Sequence, residues 1–173
     1  VWSSVRLVDF DGDGRLDLIT GSHCCDGDGF HLFRRQNDRS WSPRQRLTVA
    51  SQKDRAVILV GRNFVTAADW NGDRVPDLFF VSGWGGDISV AFGPFNEKDR
   101  IVLSHKICLK PQGTVILVAV ADWNGDGKPD LLVHQKRESG QLGIYWYQNV
   151  GSTHDPNLAE AHLLVNSHDA PVR

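Results

Sequence analysis

The chain has 173 residues, of which 40% are hydrophobic and 23% charged, enough for one domain with a core or for a few small repeats. Its formal net charge of -2 gives no case for nucleic acid or for an acidic membrane surface. No apolar run approaches the ~20 residues that span a bilayer.

Taken in chain order, the apolar segments are short and rich in Val, Ile, Leu and Phe, and turn residues separate them, so the expectation is all-β. Only Leu158–Val165 offers room for a helical turn. A first strand at Val5–Val8 runs into the acidic loop of "VDFDGDGRLDLIT", which leads into a second strand at Leu18–Thr20. An aromatic strand in "FHLFRRQN" and a fourth apolar segment in "RQRLTVA" follow. The pattern then starts again. Phe64–Ala68, "ADWNGDRVPDLFF", Leu78–Val81, "ISVAFGPFN" and "IVLSHKICL" form a second unit. Val115–Ala121, "ADWNGDGKPDLLV", Leu131–Val133, "GIYWYQN" and "AHLLV" form a third. The first aspartates of the loops are Asp9, Asp69 and Asp122, which are 60 and 53 residues apart. Four strands per unit in meander order, at this period, predict the blades of a β-propeller. The boundaries fall at about 1–50, 56–110 and 113–166.

The loops carry the chemistry. Each keeps oxygen side chains at positions 1, 3, 5 and 9, and three copies in register argue against an incidental solvated turn. An EF-hand opens the same way, but it needs a glutamate at position 12 and a helix on each side. Position 12 here is Thr20, Phe80 and Val133, and the flanks read as strands. A hard cation such as Ca²⁺ takes ~6–8 oxygens at roughly 2.3–2.6 Å. The expected ligands in the first loop are Asp9, Asp11, Asp13, the Arg15 carbonyl and Asp17. In the second they are Asp69, Asn71, Asp73, the Val75 carbonyl and Asp77; in the third, Asp122, Asn124, Asp126, the Lys128 carbonyl and Asp130. No soft ligand lies inside a loop, which argues against zinc or copper. Gly12, Gly72 and Gly125 at position 4 permit the backbone to curl. Position 6 is Gly14, Arg74 and Gly127. If that position needs φ > 0, Arg74 is strained and the second loop is the weakest site.

The loops and four-strand units together resemble the FG-GAP/VCBS-type repeats of calcium-binding β-propellers, the class that includes the integrin alpha-subunit head. The resemblance implies up to three Ca²⁺ ions, one per blade, each structural and each held at the fifteen positions named above. It implies an extracellular, cell-surface or periplasmic interaction or scaffold module that binds protein or glycan and is not an enzyme. The alternatives are a calcium-dependent lectin and an accessory domain of a secreted hydrolase. Propellers close with ~4–8 blades, and this chain has three. It is therefore expected to belong to a longer propeller, to pair into a homo-oligomeric six-bladed ring, or to stand as an open arc with exposed edges. The sequence contains no Met, which favours a piece of a longer chain.

Other residues carry weaker signals. His23, Cys24, Cys25 and Asp26 are all metal-ligand types, but an exposed turn is the expectation. Cys108, in an apolar strand, reads as a core residue. Trp84, in the Gly-rich "SGWGGD", is a candidate stacking surface for a sugar or peptide, with His23 in the equivalent turn of the first unit. Phe10, Trp70 and Trp123 share position 2 of the loops and are expected to pack between blades. His134, Lys136, Arg137 and Glu138 are expected in a solvated hairpin. No Ser–His–Asp spacing, phosphate loop or H-E-x-x-H appears, and carboxylates that recur three times do not suggest a single catalytic pair.

Overall fold

A computed structural model describes residues 2–23, 29–50, 56–57, 64–81, 86–95, 101–103, 106–166 and 170–172. Among them there is no helix, and so none long and apolar enough to cross a membrane. The strands are β1 (Trp2–Val8), β2 (Asp17–His23), β3 (Gly29–Phe33), β4 (Arg35–Asn37), β5 (Ser40–Trp41), β6 (Gln45–Ala50), β7 (Ala56–Val57) and β8 (Phe64–Ala68). They continue as β9 (Asp77–Val81), β10 (Ile88–Ala91), β11 (Ile101–Leu103), β12 (Lys106–Leu109), β13 (Thr114–Ala121), β14 (Asp130–Lys136), β15 (Leu142–Tyr147) and β16 (His162–Leu163).

Each predicted unit becomes one blade-like sheet. The second runs β8-β9-β10-β12 and the third β13-β14-β15-β16, with every neighbouring pair antiparallel. The first begins in the same way, β1-β2-β3-β6, and then gains β7 and β11. This departs from the sequence expectation, in which Ile101–Leu109 closes the second unit as one segment. Instead β12 closes the second sheet, while β11 lies parallel to β6 and pairs Ile101 with Leu47. The outer edge of β6 presents unpaired backbone groups, and β11 satisfies them. The Leu158–Val165 stretch holds a bridge from Leu158 to Asn149 and strand β16 rather than a helical turn.

Burial follows position in the stack. Strands β9 and β10 are buried along their whole length because the middle sheet is covered on both faces. Strand β15 alternates, with Gly143, Tyr145 and Tyr147 inward. One apolar cluster joins the first and second sheets through Val8, Phe10, Ile19, Val65, Leu78 and Phe80. A second joins the second and third through Trp70, Phe79, Val118, Leu131, Val133 and Tyr145. Phe10 stacks on Phe95 at 4.8 Å, and Trp70 meets Phe79 edge-on at 5.3 Å. Trp123 corrects the sequence expectation, because it is 52% exposed while Phe10 and Trp70 are each 3% exposed. Position 2 of the first two loops packs toward the following sheet, and among the described residues no sheet covers Trp123.

Candidate metal centre and ligand cleft

Each acidic loop joins the first two strands of its sheet, and its aspartates split into two groups. The aspartate at position 1 closes the loop. Asp9 accepts from the Asp13 and Gly14 amides at 3.0 and 2.9 Å. Asp69 accepts from Gly72 and Arg74 at 2.7 and 2.9 Å. Asp122 accepts from Gly125, Asp126 and Gly127 at 2.8, 3.0 and 2.9 Å. At position 5, Asp13, Asp73 and Asp126 accept from the amides of Arg15, Val75 and Lys128. These bonds curl the backbone through left-handed residues. Position 4 has φ of 75°, 77° and 75°, and position 6 has 83°, 68° and 82°. The 68° belongs to Arg74, as its place in the repeat predicts, and a side chain there is strained.

In the first loop Asp9, Asp11 and Asp13 bring carboxylate oxygens within 4.8 Å of one another. Arg34 Nε meets Asp11 Oδ2 at 3.2 Å, and Arg15 pairs with Asp13. Asp11 Oδ1 is nevertheless buried with no hydrogen-bond partner among the described residues. An orphaned carboxylate oxygen beside two further carboxylates is an all-oxygen donor set that fits a hard cation. In the second and third loops the asparagine fills part of this role differently. Asn71 Nδ2 donates to Asp73 Oδ2, and Asn124 Nδ2 to Asp126 Oδ2, each at 3.0 Å. Lys128 Nζ lies 3.4 Å from Asp126 and donates to the Gly151 carbonyl at 3.2 Å.

Position 9 does something the sequence reading did not anticipate. Asp17, Asp77 and Asp130 are at most 1% exposed, and each ties its loop to the backbone two residues past the end of the sheet's third strand. Asp17 accepts from Phe10 N at 3.2 Å and Arg35 N at 2.8 Å. Asp77 accepts from Trp70 N at 2.9 Å and Gly93 N at 3.0 Å. Asp130 accepts from Trp123 N at 3.3 Å, Trp146 Nε1 at 2.9 Å and Asn149 N at 2.7 Å. Burial pushes the carboxyls of Asp17 and Asp77 above the usual range, against the pull of these amides. The sequence signal was present, since each of these aspartates directly precedes an apolar run and therefore starts a strand.

A cleft of about 410 Å³ lies along the seam between the second and third sheets. Leu109, Lys110 and Gln112 line one side, Arg137 and Tyr147 another, and Leu158–Ala161 a third. The Arg137 guanidinium sits 4.3 Å over the Tyr145 ring. Tyr147 is hydrogen-bonded to Gln135 Oε1 at 3.2 Å, and burial raises its hydroxyl further above 10.0, so it keeps its proton at neutral pH. Gln135 Nε2 is buried with no partner among the described residues. Lys136 and Glu138 are solvated as expected, but Arg137 and His134 are half-buried, so the expectation of a solvated hairpin holds only in part. His23 ends β2 opposite Trp2. Trp84, Cys24, Cys25 and Asp26 lie outside the described residues, and Cys108 lies in β12.

The FG-GAP-like repeat model matches residues 9–80 and 69–133, two overlapping copies that each run from one acidic loop into the next. The chain belongs to the FG-GAP-like repeat family. Its FG-GAP-like units are propeller blades, and a solved structure supports that reading. A lectin from Agrocybe aegerita that specifically recognises non-reducing terminal N-acetylglucosamine matches 96% of this chain with a TM-score of 0.54 and 21% identity. At that identity the likeness establishes the fold. The chain spans 39% of the length of that lectin. No curated protein matches the FG-GAP-like chain.

Proposed function

We propose that this chain is a calcium-held propeller module that presents an interaction surface outside the cytoplasm and performs no catalysis. The observation that carries the calcium reading is the first loop. Three carboxylates converge within 4.8 Å, and the buried Asp11 Oδ1 has no partner. Asp9, Asp11 and Asp13 would hold the ion there, with Asp69, Asn71 and Asp73, and Asp122, Asn124 and Asp126, as the corresponding sets. The ion would neutralise stacked carboxylates and fix the loop; it has no other part to play. Extracellular calcium modules bind with Kd of about 10⁻⁴–10⁻³ M, matched to the millimolar calcium outside the cell. Thermal melts in calcium and in chelator test the proposal. At about 100 times Kd each site adds about 2.7 kcal/mol, so the calcium melt should lie clearly higher. Superimposable melts would sink it.

A second reading, carbohydrate binding, is favoured by the cleft. It offers an aromatic wall, a protonated tyrosine hydroxyl and a guanidinium within about 410 Å³, the mixture that small polar ligands use. The lectin neighbour adds only its fold. Glycan-array binding that is lost in Arg137→Ala with the melt unchanged would support this reading. Protein capture without any glycan signal would support the scaffold reading.

A further inference from the structure

The inner face of the third sheet changes character along its length. Residues 131, 133 and 135 of β14 alternate onto that face, and Leu131 and Val133 pack there against the second sheet. Gln135 then stands where an apolar side chain would continue the row, and it is 0% exposed. Arg137, next in the alternation, holds its guanidinium over the Tyr145 ring. On β15, Tyr145 and Tyr147 sit opposite Val133 and Leu131. These polar groups satisfy one another only in part. The Tyr145 and Tyr147 hydroxyls donate to Gln141 Oε1 and Gln135 Oε1, each at 3.2 Å, and their oxygens can still accept. Gln135 Nε2 and Arg137 Nε are buried with no hydrogen-bond partner among the described residues. Arg137 makes no ion pair among them either. Buried donors of this kind are costly to leave without acceptors. Arg137 and Tyr147 both line the cleft of about 410 Å³, and so does Lys110, whose Nζ keeps only a 3.9 Å approach to Asp87.

We propose that the cleft binds a sugar that carries a carboxylate, a uronic or sialic acid residue, with Arg137 and Lys110 holding the acid group. The inference rests on the carbohydrate reading of the cleft and adds the charge of its ligand. A planar guanidinium with a free Nε–H matches the edge of a carboxylate, and a charged acceptor bonds it more strongly than a neutral hydroxyl does. The rest of the lining favours a sugar over an acidic peptide. Glu160 accepts from hydroxyls but repels a second acid group, so one carboxylate among several hydroxyls suits the cleft better than a run of acidic side chains. Gln112 and the Tyr147 oxygen offer further partners to hydroxyls, and Leu109 and Leu158 supply apolar cover for a ring.

Nuclear magnetic resonance of the isotope-labelled chain in calcium tests this. The probes are glucuronate, N-acetylneuraminate, the neutral methyl ester of each, and N-acetylglucosamine. At least one acid should bind in the millimolar range and shift the Arg137 Nε–H signal, which is identified by its absence from Arg137→Gln. The ester of that acid should bind on the order of tenfold more weakly, the loss expected for one hydrogen bond to a charged group. Arg137→Gln should lose a similar factor for the acid with the thermal melt unchanged. Lys110→Gln alters a side chain that is 72% exposed and that the fold does not need. It should weaken the acid about threefold and leave the ester unaffected, and it decides the matter if Arg137→Gln fails to fold. Equal affinity for an acid and its ester would overturn the inference and leave the carbohydrate reading standing, as would binding of N-acetylglucosamine alone. An acid that binds Arg137→Gln as tightly as the native chain sits elsewhere, as on a calcium ion in an acidic loop, and would overturn it too. No binding by any of these sugars at tens of millimolar would overturn both readings, and so would capture of a glutamate-rich peptide without a sugar signal.

Discussion

Asp130→Ala is the sharpest test of the position-9 aspartates as clamps rather than ion ligands alone. The side chain is 0% exposed and accepts from Asn149 N at 2.7 Å, Trp146 Nε1 at 2.9 Å and Trp123 N at 3.3 Å. Removing it strands two well-aligned donors in a buried site, and the third bond is long and counts for little. A hydrogen bond to a charged acceptor contributes about 1.5–3 kcal/mol, and orphaned buried donors cost a similar amount. The expected loss is therefore about 3–5 kcal/mol. In a domain of this size about 1 kcal/mol moves Tm by about 2–4 °C, so the melt should fall by about 6–20 °C. The measurement belongs in chelator, where no ion can contribute. Asp126→Ala, on the exposed side of the same loop, serves as the control and should move the chelator melt far less. Asp130→Asn, which keeps the volume but turns one acceptor into a donor, should fall between the two. If the Asp130→Ala and Asp126→Ala melts coincide in chelator, the clamp is refuted. If the Asp130→Ala loss appears only in calcium, the residue acts through the ion alone.

Two further outcomes follow from the loops. Arg74→Gly relieves a side chain held at φ 68° and should stabilise the protein by about 0.5–1 kcal/mol in urea titrations. No gain would mean that the second loop does not need the left-handed conformation. The raised carboxyls of Asp17 and Asp77 set a pH dependence in the metal-free protein. Because folding raises their pKa above 3.8, the folded state holds protons that the unfolded state has released, and stability falls as pH rises from about 3.8 through the raised values. Chelator melts from acidic to neutral pH should show this slope, and Asp17→Asn combined with Asp77→Asn should flatten it. An unchanged slope in the double variant would refute the assignment.

The parts of this structure that are local in the chain were legible in its sequence. Loop curl at Gly12, Gly72 and Gly125, the left-handed Arg74 and the strand on either side of each loop all follow from spacing within about a dozen residues. What depends on a distant partner was not legible. The division of Ile101–Leu109 between two sheets is decided by the free edge of β6, which the apolar pattern of that segment does not encode. Arg137 is half-buried where its guanidinium lies over the Tyr145 ring, a contact set by the pairing of β14 with β15. Asp17, Asp77 and Asp130 look like their acidic neighbours in a spacing argument. The donors within the loop, Phe10, Trp70 and Trp123, are local, but only the register of β2 with β3, β9 with β10 and β14 with β15 brings Arg35, Gly93 and Asn149 to them. Trp70 and Trp123 share a loop position, but only Trp70 has a following sheet among the described residues to pack against.

The clamps stay inside their units while the apolar contacts cross between them. Asp17 reaches Arg35, Asp77 reaches Gly93 and Asp130 reaches Asn149, each within a single repeat unit. A gene segment encoding one such unit therefore carries its own internal fastening and the two generic halves of a joint. Copying that segment would repeat the apolar joint, whereas the strand lent by the second unit to the first sheet, β11 on β6, has no counterpart among the described residues of the second and third sheets. On that basis, changes in ring size within this lineage would come by whole units, and individual sheets would drift in sequence while those tethers and joint positions were retained.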